Sequence, residues 1–263
     1  MTLKGMLAIF LGVCAITTFG YWRYCVAGQP HAVAQFGFIR DPSDSIPNDC
    51  GRIVSLAERA LAMPETGEGS TITLFVLGNK ATANEPQLIG EFQVPVIHRV
   101  IEGKRAANRE KQELLTRIKN QCSEIKEIRV SPIFQAVKRS VEHLQTVGAA
   151  GDSRYLFVQS DGEETENLQI KNALNGAPVK ASELPAPIQN RGVHVTFCGM
   201  AETIGEVPDN NQVVHRKSKE RDSKRADHLR EVWAKLFTSP ELVSFEPYCS
   251  RESSLSSNPS GLR

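Results

Sequence analysis

Oxygen-bearing side chains occupy alternate positions in the run Asp41-Pro42-Ser43-Asp44-Ser45, which follows an apolar segment. In an extended loop, side chains two residues apart point to the same side, so those of Asp41, Ser43 and Ser45 would converge on one point. Hard cations such as Mg²⁺ take carboxylate and hydroxyl oxygens as ligands. The run therefore predicts a metal site. The alternative is an ordinary turn, because Asp, Pro and Ser are also common in turns.

The elements that would position these side chains follow from the hydrophobic pattern. Short apolar or β-branched runs predict strands, and apolar residues at helical spacing predict helices. The predicted strands cover residues 34–40, 71–77, 91–97, 155–159, 192–198 and 242–245. The predicted helices cover residues 50–63, 104–126 and 226–237, with a further helix after Ser131-Pro132. Ser131 is its expected N-cap, with proline at the first helical position. Residues 164–187 are predicted to be a helix-poor connection and residues 199–224 a charged loop.

Alternating strands and helices predict an α/β fold with a doubly wound, mostly parallel sheet flanked by helices. In such sheets, ligands bind outside the carboxyl ends of the strands, where the strand order reverses. Asp41 and Asp161 both follow predicted strands, and Ser131 precedes a predicted helix. Three separate segments are therefore expected to direct oxygens into one crevice.

This order of motifs resembles the von Willebrand factor A (vWA) domain and its metal-ion-dependent adhesion site (MIDAS). The family's D-x-S-x-S loop is matched by Asp41, Ser43 and Ser45, and its strand-ending D-G by Asp161 with the glycine after it. The family's threonine at a later helix start falls on Ser131, a departure that keeps the hydroxyl. The resemblance covers about residues 33–248 and implies a vWA or Rossmann-like fold. It further implies Mg²⁺, or Mn²⁺ or Ca²⁺, held by these five residues, and a protein ligand whose acidic side chain completes the coordination shell.

The resulting hypothesis is that the protein is a binding module and not an enzyme. No GxSxG, P-loop or GxGxxG motif is present, and a net charge of +1 gives no reason to expect a nucleic-acid partner. A second hypothesis is a metal-independent structural or assembly component of a cell-envelope or transfer complex. A third is a metal-dependent hydrolase, for which Glu163 or Glu164 would have to act as general base.

The N-terminal part of the sequence predicts a membrane anchor. Residues 5–22 carry no charged side chain and are flanked by Lys4 and Arg23, which is typical of a membrane-spanning helix. A cleaved signal peptide, and hence a secreted protein, is the alternative. The expected organisation is an anchor or signal segment at 1–30, a vWA-like domain at 31–249 on the extracytoplasmic side, and a disordered tail at 250–263.

The six cysteines contain no CxxC pair, so a zinc site of the usual spacing is not indicated. In an exported domain Cys198 and Cys249 could pair, which would leave Cys50 with Cys122. Four cysteines allow three connectivities and the sequence does not choose among them. Free buried thiols are the expectation for a cytoplasmic domain.

Overall fold

The structure is a computed structural model. It describes residues 33–42, 50–67, 69–77, 86–94, 103–125, 131–201, 204–208, 214–218 and 223–246. The predicted anchor, the tail predicted to be disordered, Ser43 and Ser45 lie outside these residues. Within them, no helix combines the length and the apolar character that crossing a bilayer requires.

Strands and helices alternate along most of the described chain. The strands are β1 (Ala34–Arg40), β2 (Thr71–Val76), β3 (Gln87–Gln93), β4 (Ser153–Gln159), β5 (Val193–Cys198), β6 (Ile204–Pro208), β7 (Val214–Ser218) and β8 (Val243–Glu246). The α-helices are α1 (Cys50–Leu61), α2 (Gly103–Ser123), α3 (Ile133–Thr146), α4 (Leu168–Leu174) and α5 (Ser223–Ala234). Single 3₁₀ turns occur at Ala181–Glu183 and Pro240–Leu242.

Six of the described strands form one sheet in the order β3-β2-β1-β4-β5-β8. All neighbours pair in parallel except β3, which is an antiparallel edge strand. The first strand lies in the middle, and the chain proceeds outward from it in both directions. This topology confirms the predicted doubly wound, mostly parallel α/β sheet, and its strand order reverses between β1 and β4.

Helices cover both faces of the sheet, so the central strand β1 is buried along its whole length. Alternate residues of β1 pack into two separate hydrophobic cores, one on each face of the sheet. Phe36 and Phe38 pack with α1 and α2, whereas Ile39 packs with α3, α4 and α5. Gly37 also faces the α3 side, where a Cβ atom would meet Leu156 Cδ1 at 2.9 Å. The glycine lets α3 pack closely against the centre of the sheet.

Several predicted boundaries differ from the structure. The third strand begins at Gln87 rather than at residue 91, and the helix predicted at 226–237 is α5, which begins at Ser223. The connection predicted to be helix-poor contains α4, whose N-cap Asn167 accepts a hydrogen bond from the backbone N–H of Ile170. The charged loop predicted at 199–224 contains the antiparallel hairpin β6–β7.

Two helices on the same face of the sheet are joined by a disulfide between Cys50 and Cys122, with a Cα–Cα distance of 5.8 Å. Cys198, the last residue of β5, is disulfide-bonded as well. Cys50–Cys122 is the pairing that the sequence analysis expected if Cys198 pairs with Cys249. The expectation of free thiols is wrong for these three cysteines.

Candidate functional site

Asp41 lies directly after β1, at the carboxyl end of the sheet and beside the end of β4. Its backbone N–H donates to the carbonyl oxygen of Gln159 at 3.0 Å, and the residue is only 2% exposed. One carboxylate oxygen accepts a hydrogen bond from Ser131 Oγ at 3.0 Å. The other accepts one from Ser160 Oγ at 2.9 Å. Two hydroxyls from distant parts of the chain therefore hold one buried carboxylate at the point where the strand order reverses.

Ser131 is positioned by the loop that follows β4. Its backbone N–H donates to Thr165 Oγ1 at 2.7 Å, and its carbonyl oxygen accepts from the Thr165 N–H at 3.2 Å. The prediction that Ser131 caps the next helix is wrong, because Pro132 occupies the N-cap position and the side chain that accepts a first-turn N–H of this helix is that of Glu164. The Ser131 hydroxyl donates to Asp41 instead. Its predicted place at the oxygen cluster is thus observed, while its predicted capping role is not.

The turn after β4 carries Asp161, which is 3% exposed. Its Oδ1 accepts a hydrogen bond from the Glu163 N–H at 2.9 Å, and its carbonyl oxygen accepts one from the Ala201 N–H at 2.9 Å. Gly162 has a φ of +83°, a conformation that favours glycine. Its carbonyl oxygen accepts from Trp233 Nε1 at 2.9 Å. The turn is therefore fixed from both sides, and it places Asp161 next to the Asp41–Ser160 contact.

Ser160 is a member of the cluster that the sequence analysis did not select. It is 1% exposed, and its hydroxyl donates to Asp41 while accepting the Gly162 N–H at 3.1 Å. The available signal was its place between a predicted strand and the D-G pair. A serine at the carboxyl end of a parallel strand lies at the edge where ligands bind.

Glu164 joins the site loop to the starts of two helices. Its carboxylate accepts backbone N–H groups from Phe134 at 2.7 Å, Glu166 at 2.9 Å and Asn167 at 3.2 Å. Burial raises the pKa of the Glu164 carboxyl above its ordinary value, although these three donors oppose the shift. Because Phe134 is in the first turn of α3, Glu164 ties the loop to the helix that follows Ser131.

Glu163 is held from the side of α5. Arg225 donates to both of its carboxylate oxygens, with the shortest contact at 2.7 Å, and also to the carbonyl oxygen of Leu174. Neither Glu163 nor Glu164 therefore resembles an unengaged general base. Both carboxylates act in the structure as anchors for the loop that carries Asp161.

The cluster presents oxygen atoms of the kind that Mg²⁺ binds. Two carboxylates and two hydroxyls lie at one sheet edge, all on nearly buried residues: Asp41, Ser131, Ser160 and Asp161. No group of three or more His, Cys, Asp or Glu side chains able to hold a metal occurs in the part of the chain that the structure describes. Of the five predicted ligands, Asp41, Ser131 and Asp161 are described and lie at this edge.

Comparisons with known proteins find similar solved structures but no matching family. No family profile matches the sequence, and no curated protein matches it. Among solved structures, the chain is similar to the conserved hypothetical protein BatB from Bacteroides thetaiotaomicron, with 11% identity over 84% of this chain and 93% of that one and a TM-score of 0.37. It is similar to the VWA domain of SpRpn10, with 10% identity over 82% and 87% of the two chains and a TM-score of 0.39. It is also similar to the pilus adhesin SpaC from Lactobacillus rhamnosus GG, with 11% identity over 84% of this chain and 29% of that one and a TM-score of 0.44. At these identities and TM-scores, the α/β fold class rests on the strand order described above.

Proposed function

We propose that this chain is a vWA-like binding module that captures a protein ligand through a divalent cation. The observation that carries the proposal is the pair of hydrogen bonds at Asp41, to Ser131 at 3.0 Å and to Ser160 at 2.9 Å. These contacts join segments about ninety and more residues apart in sequence at the edge where doubly wound sheets bind ligands. Asp41 and Asp161 are both nearly buried at this edge, and burying charge is unfavourable unless it is compensated, which a bound cation would do.

The residues present fit a hard divalent cation. Asp41 and Asp161 bring two negative charges, and Ser131 brings a neutral oxygen; Ser43 and Ser45 would complete the set. Ser160 would orient Asp41. The bound cation would supply positive charge at the rim of the sheet and would attract a carboxylate from the partner, since Mg²⁺ readily keeps exchangeable water ligands. Mg²⁺ is the first candidate, with Mn²⁺ and Ca²⁺ as the other members of its class.

The proposed location is the extracytoplasmic side of a membrane, with the domain held by an anchor in residues 5–22 or secreted after cleavage. The disulfide between Cys50 and Cys122 supports an oxidising compartment. The uncharged character of residues 5–22 supports export.

The alternative is a metal-independent structural or assembly component of a cell-envelope or transfer complex. A specific observation favours it: each Asp41 carboxylate oxygen already accepts a hydroxyl hydrogen bond, so the protein itself compensates the buried charge. In that case the hydrogen bonds of the cluster only hold β1, β4 and the segment before α3 together. A partner would then bind elsewhere on the surface.

The test is thermal unfolding of the full chain with Mg²⁺ or Mn²⁺ and with EDTA. We expect the cation to raise the Tm of the wild type, because a ligand that binds the native state stabilises it by about 2.7 kcal/mol at a hundredfold excess over Kd. Asp41→Asn should abolish the increase. Asp152→Asn is the matched control, because Asp152 precedes β4 at the opposite edge of the sheet and the same atoms are exchanged.

Equal cation-induced shifts in the wild type and in Asp41→Asn would remove the metal site. Affinity capture from membranes, with and without EDTA, then separates the two functions. Capture that EDTA abolishes supports the adhesion-type module, and capture that EDTA leaves intact supports the assembly component.

A further inference from the structure

The residue before Asp41 has an unusual set of partners. Arg40 is 2% exposed, and its side chain lies on the α1–α2 face of the sheet. Its Nη1 donates to the carbonyl oxygen of Cys122 at 2.8 Å. The same nitrogen lies 3.4 Å from Cys122 Sγ and 3.4 Å from Cys50 Sγ. A guanidinium that remains charged at every physiological pH is therefore in contact with both sulfurs of a disulfide.

The two cysteines of this disulfide differ in exposure. Cys50 is the first residue of α1 and is partly exposed, whereas Cys122 lies in the last turn of α2 and is fully buried. An external thiolate must attack in line with the S–S bond at a sulfur that it can reach. Access therefore favours attack at Cys50, with Cys122 as the leaving group.

The leaving group is stabilised where it forms. A thiolate released at Cys122 would be buried, which ordinarily disfavours it, but it would form beside the Arg40 guanidinium. A cation next to a cysteine favours the thiolate, and a better leaving thiolate speeds disulfide exchange. The sulfur at Cys50 lies at the start of a 12-residue helix, which also favours a thiolate there and hence the reverse reaction.

We propose that Cys50–Cys122 is a redox-active disulfide whose target sulfur is Cys50 and whose leaving thiolate, at Cys122, is stabilised by Arg40. The co-reactant is a dithiol reductant. One of its thiolates bonds to Cys50 Sγ and breaks the S–S bond, and the electron pair of that bond leaves on Cys122. Its second thiolate then displaces Cys50 and closes the reductant's own disulfide. Two electrons and two protons pass from the reductant to the cysteine pair.

The buried Gln159 side chain offers the Arg40 guanidinium an alternative hydrogen-bond partner when the disulfide is reduced. Gln159 is the register partner of Arg40 on β4 and is 1% exposed, so the two side chains share a face. Neither its Oε1 nor its Nε2 has a hydrogen-bond partner among the described residues. Opening of the disulfide moves the sulfurs apart, and the guanidinium can then turn toward the Gln159 Oε1. The redox activity does not depend on the metal site proposed above.

The first experiment uses the wild-type chain in native buffer without metal. The protein is exposed to glutathione, quenched with iodoacetamide and mapped by peptide mass spectrometry. We expect glutathione adducts on Cys50 together with alkylated Cys122. Adducts on Cys122 as often as on Cys50 would overturn the proposal.

The second experiment measures the role of Arg40 by the rate of reduction with dithiothreitol. Arg40→Met should slow the opening of Cys50–Cys122 about tenfold, because reaction rate depends on the stability of the leaving thiolate. Arg40→Lys keeps the charge and should retain most of the rate. Equal rates in both variants would contradict the assigned role, and the adduct map of the wild type decides the direction of cleavage even if Arg40→Met does not fold.

Discussion

Arg40 and Asp41 are neighbours in sequence and stand on opposite faces of the same sheet. Alternation along β1 places Arg40 with Phe38 on the α1–α2 side, and Asp41 with Ile39 on the α3 side. The first residue is a buried cation beside a disulfide, and the second is a buried anion beside two hydroxyls. The sheet thus separates the buried cation from the buried anion.

The two sides also differ in where their partners come from. Arg40 contacts a backbone carbonyl and two sulfurs that one covalent bond holds together. Asp41 contacts Ser131 and Ser160, which reach it from separate segments. The α1–α2 side is therefore held as one unit, whereas the Asp41 side depends on several loops packing correctly. The following substitutions test that difference.

The largest effect is expected on the disulfide side, from Arg40→Ala. The buffer is neutral and contains no reductant, so that the disulfide stays intact. Removing a large buried side chain costs about 2–5 kcal/mol. The Cys122 carbonyl oxygen loses its charged donor but keeps the Ile125 N–H at 3.2 Å. Urea unfolding followed by circular dichroism measures the loss. Arg139→Ala, whose side chain is 52% exposed, is the control and should change the free energy of unfolding little. Similar losses in the two variants would mean that Arg40 is not integral to this core.

An intermediate effect is expected on the Asp41 side, from Gly162→Ala. A Cβ atom at Gly162 would meet Met200 Sδ at 3.1 Å, in addition to the cost of about 1–2 kcal/mol for a left-handed backbone. Gly176→Ala is the matched control, since its φ is +78° and a Cβ atom there would meet nothing within 4 Å. The excess loss of stability at Gly162 over Gly176 measures the crowding against Met200. If the two losses are equal, the site loop is more adaptable than its contacts indicate.

The smallest effect is a pH dependence at Glu164. Burial raises the pKa of this carboxyl in the folded state, so the native protein holds the proton more tightly than the unfolded chain, whose value is about 4.3. Stability from this group is then full below that pH and decreases as the pH rises through the folded-state pKa. The stability of the wild type relative to Glu164→Gln should therefore fall between pH 4 and neutrality. A difference that stays constant or grows with pH, measured by urea unfolding at each pH, would contradict this sign.

Much of the sheet was predictable because its signal is local. The bounds of β1 are those predicted, and β4 and β5 differ from prediction by a few residues at most. Short buried strands are apolar and β-branched along their length, which periodicity detects. The helix α4 was missed because its apolar pattern consists of Ile170 and Leu174 in seven residues, although Asn167 before it is a recognisable N-cap. The hairpin β6–β7 was missed because Gly205, Glu206 and Pro208 interrupt the apolar pattern of β6, and four of the five residues of β7 are polar or charged.

The site was predictable in part. Asp41 and Asp161 follow strands, and strand ends in a parallel sheet share one edge, so their place at that edge followed from topology. The same reasoning placed Ser131 near them but predicted that its hydroxyl would cap the next helix, whereas it donates to Asp41. Ser160 was not selected, because no spacing rule distinguishes a serine that bonds a distant carboxylate from one that ends a strand.

The amino-acid sequence by itself determined the α/β alternation, the buried central strand and the acidic strand ends, because each depends on side chains within a few residues of one another. The tertiary structure decided which hydroxyls hold Asp41, that Arg40 lies against the Cys50–Cys122 disulfide, and that these two settings occupy opposite faces. Those contacts join segments far apart in the chain, and their partners are chosen by how the helices pack on the sheet. Local patterns contain no information about that choice, since the same hydroxyl or guanidinium would satisfy many other acceptors of similar geometry.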